Sequence, residues 1–78
     1  MKTIAIQHRL RDGYHVLTSR EVDGLYVASK DAAKAHAGVA PAIEQLLAAN
    51  EGVVCRVEPV SGIEDLRHES TTLWWRVT

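Results

Sequence analysis

Ten acidic side chains are spread along a 78-residue chain, and whether any of them converge decides which chemistry is open to it. Metal-assisted hydrolysis needs several carboxylates around one divalent cation. The early strand-like runs are flanked by Asp12, then by Glu21 and Asp23, and all three stand in turn sequences. Turn roles are expected for them, so no catalytic residue, metal ligand or cofactor is assigned. Four histidines, His8, His15, His36 and His68, invite a zinc reading, yet none pairs with another at His-x-x-x-His spacing. His8 and His15 can face each other across a hairpin as a two-ligand site, but histidines on a strand face or at the surface are the default. Cys55 has only Arg56 beside it to activate it. Neighbouring strand residues point to opposite faces, so a buried core cysteine is expected rather than a nucleophile. Ser29 reads as a helix cap. Trp74 and Trp75 are adjacent on a β-prone run, so one can fill the core while the other anchors a partner. Lys2, Arg9, Arg11, Arg20 and Arg56 suggest a basic sheet face for RNA, but no stacking aromatics are interspersed with them.

These residues must be held by a small set of elements. Ile4, Ile6, His8 and Leu10 alternate with Thr3, Ala5, Gln7 and Arg9, which is the period of a half-buried strand. Asp12-Gly13 then turns the chain, since glycine takes positive φ without steric cost. Tyr14 to Ser19 is a second strand, with Val16 expected in the core. Arg20 to Gly24 is a second connection, and Leu25 to Ala28 a third strand. Three short runs joined this way make an antiparallel meander.

Gly24-Leu25-Tyr26-Val27-Ala28-Ser29 then feeds the one long helix. Ser29 is expected as its N-cap, and Asp31 lies in its first turn, where the helix dipole favours negative charge. The helix is expected from about Lys30 to about Asn50. Ala32, Ala35, Val39, Ile43, Leu46 and Leu47 fall at helical spacing and form one apolar stripe. The alanines in its first half require the helix to lie close to the sheet. Pro41 removes a hydrogen bond, at ~3 kcal/mol if unrelieved, so a kink near Ala37 is expected in preference to a break. Asn50-Glu51-Gly52 ends the helix. Val53 to Glu58 reads as a fourth strand with Val53, Cys55 and Val57 inward, stopped by Pro59. Ile63 to Arg67 suggests one helical turn. Thr71 to Val77 has strand composition, as a fifth strand or a docked tail.

Composition bounds the rest. Hydrophobic residues make up 46% of the chain and aromatic ones 5%, with no Phe, so the core is built of Val, Leu, Ile and Ala. A core that small gains from self-association, and a homodimer is expected with Trp74 or Trp75 at the contact. The formal net charge of −1 argues neither for nor against a nucleic-acid partner. A single cysteine fits a reducing compartment, and the opening residues form no signal-peptide h-region, so the cytoplasm is the expected location. No apolar run approaches the ~20 residues of a membrane span.

The order strand-strand-strand-helix-strand resembles the HicB-like antitoxin family. The resembling residues are Asp12-Gly13-Tyr14-His15-Val16, then Gly24-Leu25-Tyr26-Val27-Ala28-Ser29, then the helix to Leu46-Leu47, and they span roughly residues 2 to 58. The resemblance implies a small ribonuclease-H-like βββαβ unit without catalysis. Such a unit neutralises a small mRNA-cleaving toxin by covering its active face. This chain departs from the family in carrying few carboxylates in the first helical turn. It also lacks the usual acidic balance, and has ~20 residues after Pro59, too few for a helix-turn-helix.

The expectation is therefore a single α+β domain, a mostly antiparallel sheet with one kinked helix on one face. Residues 2–58 would form the core and residues 59–78 a tail. Its function would be binding to a small toxin-like ribonuclease, with Tyr26, Asp31, Trp74 and Trp75 as candidate contacts. A nucleic-acid-binding module using the open sheet face is the alternative, and a residual hydrolase ranks third.

Overall fold

A computed structural model describes residues 2–62 and 70–78. Five strands and one helix run in the order β1 (Lys2–Arg11), β2 (Tyr14–Thr18), β3 (Tyr26–Ser29), α1 (Ala32–Glu51), β4 (Val57–Pro59) and β5 (Ser70–Val77). The strands form one sheet in the order β3-β2-β1-β5-β4, and every neighbouring pair is antiparallel. This is the expected α+β class. The C-terminal run is a full strand, and it lies between β1 and β4 rather than at an edge.

The first hairpin sets the register. Asp12 has φ 51° and Gly13 φ 82°, the two positive values that a two-residue type I′ turn requires. Arg11 therefore pairs with Tyr14, and His8 with Leu17. Directly opposed residues share a face, so Leu17 joins Ile4, Ile6 and His8 against the helix. Leu17 is buried and Val16 is not, which corrects the expectation that Val16 points inward. Leu10 continues the inward alternation but is exposed.

At its N-terminal half β1 outruns β2. There the backbone of Ala5 is satisfied by side chains, its N–H donating to Glu21 Oε1 and its C=O accepting from Ser19 Oγ. The second connection folds back beneath the helix. Val22 is buried, Leu25 N–H closes a turn onto Val22 C=O, and Gly24 takes φ 85° within it.

The helix starts two residues later than expected. Ser29 is held in β3 by pairing with His15, so it cannot serve as the cap. Its hydroxyl instead accepts from Asp31 N–H. Asp31 is the N-cap, and its carboxylate accepts from Ala33 N–H at 2.9 Å and Lys34 N–H at 3.2 Å. An Asp31→Ala chain is expected to lose about 1 kcal/mol of stability, read as a lower urea midpoint with an unchanged m-value. An unmoved midpoint would show that these two N–H groups need no carboxylate.

α1 then runs unbroken through Pro41, so the alternative of two helices is excluded. Pro41 and Ala37 are both exposed, which leaves the carbonyl freed by the missing N–H on the wet side. The inward stripe is the expected one: Ala35, Val39 and Ile43 are buried, with Ala32, Leu46 and Leu47 packed at its margins. The helix lies close over β3, where a Cβ on Gly38 would stand 3.4 Å from Val27 Cγ1. Gly52, at φ 67°, ends the helix in a left-handed cap, its N–H on Ala48 C=O and the Val53 N–H on Leu47 C=O.

That cap shortens the fourth strand. Val53 is tied to the helix end instead of the sheet, and Val54 is fully in solvent at 97% exposure. Cys55 is a free thiol packed against the margin of the core, half-buried rather than fully buried as expected. The strand forms only from Val57, whose N–H donates to Glu44 Oε2 of the helix at 2.9 Å. Pro59 lies at the sheet edge, where its missing N–H leaves no ladder bond unmade.

The tail completes the core. β5 pairs with β1 from Lys2↔Val77 to Arg9↔Ser70, and its Leu73 and Trp75 are fully buried. The His36 ring packs against Trp75 at 5.1 Å between centroids. The indole thus fills space beside the alanine-rich half of the helix. Of the two readings of this run, a fifth strand and a docked tail, the fifth strand is the one formed. The helical turn expected at residues 63–67 lies outside the described residues.

Candidate binding face

The helix covers one face of the sheet, and among the described residues nothing covers the other. Alternation assigns the residues of the bare face. They are Gln7, Arg9 and Arg11 of β1, Tyr14, Val16 and Thr18 of β2, Tyr26 and Ala28 of β3, and Thr72, Trp74 and Arg76 of β5. The pairing lines them up in rows across the strands. Tyr26 stands beside Thr18, Thr18 beside Gln7 and Gln7 beside Thr72, while Ala28, Val16 and Arg9 form the next row. Trp74 sits beside Ala5, and Arg76 between Thr3 and Glu58.

Three large aromatic side chains are exposed on this face: Tyr14 at 43%, Tyr26 at 67% and Trp74 at 44%. Between the two tyrosines lies an open cleft of about 370 Å³, lined by Arg11, Asp12, Tyr14, Val16, Tyr26 and Ala28. Lys30 Nζ stands 5.3 Å from the centre of the Tyr14 ring, a cation–π contact at the same end of the sheet. The backbone of Trp74 is anchored on the other side. Its N–H donates to Ser61 Oγ at 2.9 Å, and its C=O accepts from Val60 and Ser61.

The candidate contacts from the sequence separate here. Tyr26 and Trp74 share the bare face. Trp75 does not, because it is fully buried among the core side chains and no partner can reach it. Asp31 is spent on the helix cap. Of the five basic residues expected together, Arg9 and Arg11 lie on this face and Arg56 at its edge, while Lys2 and Arg20 do not. Lys2 alternates with Ile4 toward the helix side and Arg20 lies in a connection, while Arg56, just ahead of β4, pairs at 3.3 Å with Glu58, the neighbour of Arg76. Arg76, Tyr14 and Lys30 were not singled out. The two-residue turn carried the signal for Tyr14, since it places Tyr14 directly opposite Arg11 and therefore away from the core.

The residues considered for chemistry stay apart, with one exception. Asp12 is a positive-φ residue of the first turn, Glu21 holds the Ala5 N–H, and the Asp23 carbonyl accepts from Asn50 Nδ2. Among the described residues, no group of three or more His, Cys, Asp or Glu side chains is placed to hold a metal. The exception is His8 and His15, whose rings stack at 5.2 Å with Nε2 of the first 2.9 Å from Nδ1 of the second. One ring donates and the other accepts, so the pair cross-links β1 and β2 from inside the fold. His36 Nε2 donates to Ser61 C=O at 2.9 Å and so tethers the segment after β4 to the helix.

No family model, no curated protein and no solved structure matches this chain. Among the described residues, no helix is long and apolar enough to cross a membrane.

Proposed function

We propose that this chain is a non-catalytic binding domain that works through its helix-free sheet face. Following its resemblance to HicB-like antitoxins, we take the partner to be a small toxin-like ribonuclease. The observation that carries the reading is the placement of Tyr14, Tyr26 and Trp74. Large aromatic residues are costly to leave in water and are typical anchors of protein interfaces. Here they are exposed together on the face that no described element covers. Cytoplasmic action belongs to the same reading, since the lone thiol Cys55 suits a reducing compartment.

The expected homodimer belongs to it as well. With Trp75 internal, Trp74 is the tryptophan left for a second copy, and light scattering at micromolar concentration reads the state.

The test is capture of partners by the intact chain from the source cell, with mass spectrometry of what is bound. A small ribonuclease should be recovered and its cleavage of mRNA suppressed by the chain. The chain alone, with Mg²⁺ or Mn²⁺, should leave single-stranded RNA, RNA–DNA hybrid and DNA intact. Tyr26→Ala and Trp74→Ala together should abolish capture. Undiminished capture by that double variant, or intrinsic nuclease activity, would overturn the reading.

A second reading has an observation of its own. Arg9, Arg11 and Arg76 share one sheet face with Tyr14, Tyr26 and Trp74, and cations with exposed rings on a sheet are what holds single-stranded nucleic acid. A face of that sign attracts polyanions and repels a basic protein.

A further inference from the structure

We propose that the cleft between Tyr14 and Tyr26 holds one nucleotide of a single-stranded nucleic acid. The proposal rests on the second reading above and goes further by naming the subsite and its chemistry. The cleft has an apolar floor, aromatic ends and a cationic rim. Val16 and Ala28 are cross-strand partners and form the floor. Tyr26 stands beside Thr18, four residues along β2 from Tyr14, so the two tyrosines are roughly 13 Å apart at the backbone. Their side chains bound the floor from opposite ends, and a planar base resting on it can stack on either ring. Stacking of this kind tolerates any base, because every base has a π-face.

Charge selects the rest of the ligand. Arg11 lines the cleft and Arg9 is the cross-strand neighbour of Val16 in its floor. Lys30 adds a third cation beside Tyr14. The carboxylate at the rim is Asp12, at the tip of the first turn. It disfavours a phosphate at that corner and leaves the arginine side for it, while its oxygens can accept from a base amino group. At about 370 Å³ the cleft falls at the lower end of the ~300–1,000 Å³ of small-molecule sites, which suits a single nucleotide. An open site of one nucleotide binds weakly alone. The other bare-face groups, Gln7, Thr72, Trp74 and Arg76, lie along the sheet to receive the neighbouring nucleotides of a strand.

The experiment uses the intact chain and a fluorescein-labelled eight-nucleotide RNA, its DNA counterpart and a free mononucleotide, at low salt. Saturable binding of both oligonucleotides is expected, with the mononucleotide much weaker but perturbing the same amides of β2 and β3. Raising salt should weaken oligonucleotide binding, and Arg11→Ala should reduce the salt slope by roughly 0.7. Tyr26→Ala and Tyr14→Ala should each weaken binding about tenfold, which is within the range measured for loss of one stacking ring. Tyr26→Phe should bind as the parent does. Lys34→Ala, on the exposed side of the helix, serves as the neutral control. Circular dichroism confirms that each variant is folded.

No saturable binding at low salt would overturn the proposal. So would full affinity in folded Tyr26→Ala and Tyr14→Ala chains. If oligonucleotides bind and only Trp74→Ala weakens them, the nucleotide subsite falls and the nucleic-acid reading stands. If no nucleic acid binds but Tyr26→Ala loses a protein partner, the subsite falls with the nucleic-acid reading, and the protein-binding reading survives.

Discussion

A chain ending at Glu69 is expected to be unfolded. The segment removed looks like a dispensable tail, but it is β5, the strand between β1 and β4. Its loss breaks the β1 pairing from Lys2↔Val77 to Arg9↔Ser70 and leaves β4 without a neighbour. It also removes Leu73 and Trp75 and uncovers the flanks of Ile4 and Ile6, all of them buried in the intact fold. A domain of this size has only a few kcal/mol of net stability to lose. Burial of a Leu and a Trp contributes that much by itself at roughly 1.5–3 kcal/mol or more per side chain. Far-UV circular dichroism of the shortened chain should show no cooperative melting, and its amide proton spectrum should collapse toward random-coil shifts. A cooperative transition in the shortened chain would mean that the meander and helix form a core without β5.

Trp75→Ala and Trp74→Ala are expected to behave as opposites, although the residues are adjacent. Trp75 is fully buried, lies opposite Ile4 on β1 and packs on the His36 ring. Truncating it removes an indole and leaves a cavity, at a cost of about 3–5 kcal/mol. In a small domain that is a large share of the total, and the variant should be partly or wholly unfolded at room temperature. Trp74 is 44% exposed on the bare face, and its backbone bonds to Val60 and Ser61 do not depend on the indole. Trp74→Ala should lose well under half as much and should keep its cooperative melt. Chemical denaturation of the two variants side by side measures the difference. Equal destabilisation would show that Trp74 contributes to the core as Trp75 does.

Local signals in the sequence were strong where one element carries them alone. Ala35, Val39 and Ile43 occupy the inner face of α1 as their helical spacing requires. Asp12-Gly13 makes the tight turn, and Gly52 takes the left-handed cap. The helix start was displaced because Ser29 has two competing roles, and pairing with His15 wins over capping. The inward face of β2 is legible from the turn and not from composition. A two-residue turn places Arg11 opposite Tyr14, and with Ile4 and Ile6 inward that arithmetic selects Leu17 over Val16. A shift of one residue flips every side chain, so Val16 lies with Tyr14 on the bare face, where the cleft is, and not in the core.

Residue order by itself determined the class of fold: three short strands, a long helix with an apolar stripe, and β-prone runs after it. It also determined that one of two adjacent tryptophans must face inward, because the strand period is two. It did not determine which one, nor that β5 lies inside the sheet, between β1 and β4. Those follow from pairing between residues about seventy positions apart, such as Ile4↔Trp75, and no local pattern encodes a partner at that distance. The candidate site has the same origin. Arg11 and Tyr14 are near in sequence, but Tyr26 and Trp74 join them only through the register of four strands. A sheet face is assembled across strands, so its chemistry appears only once tertiary hydrogen bonding has set those strands side by side.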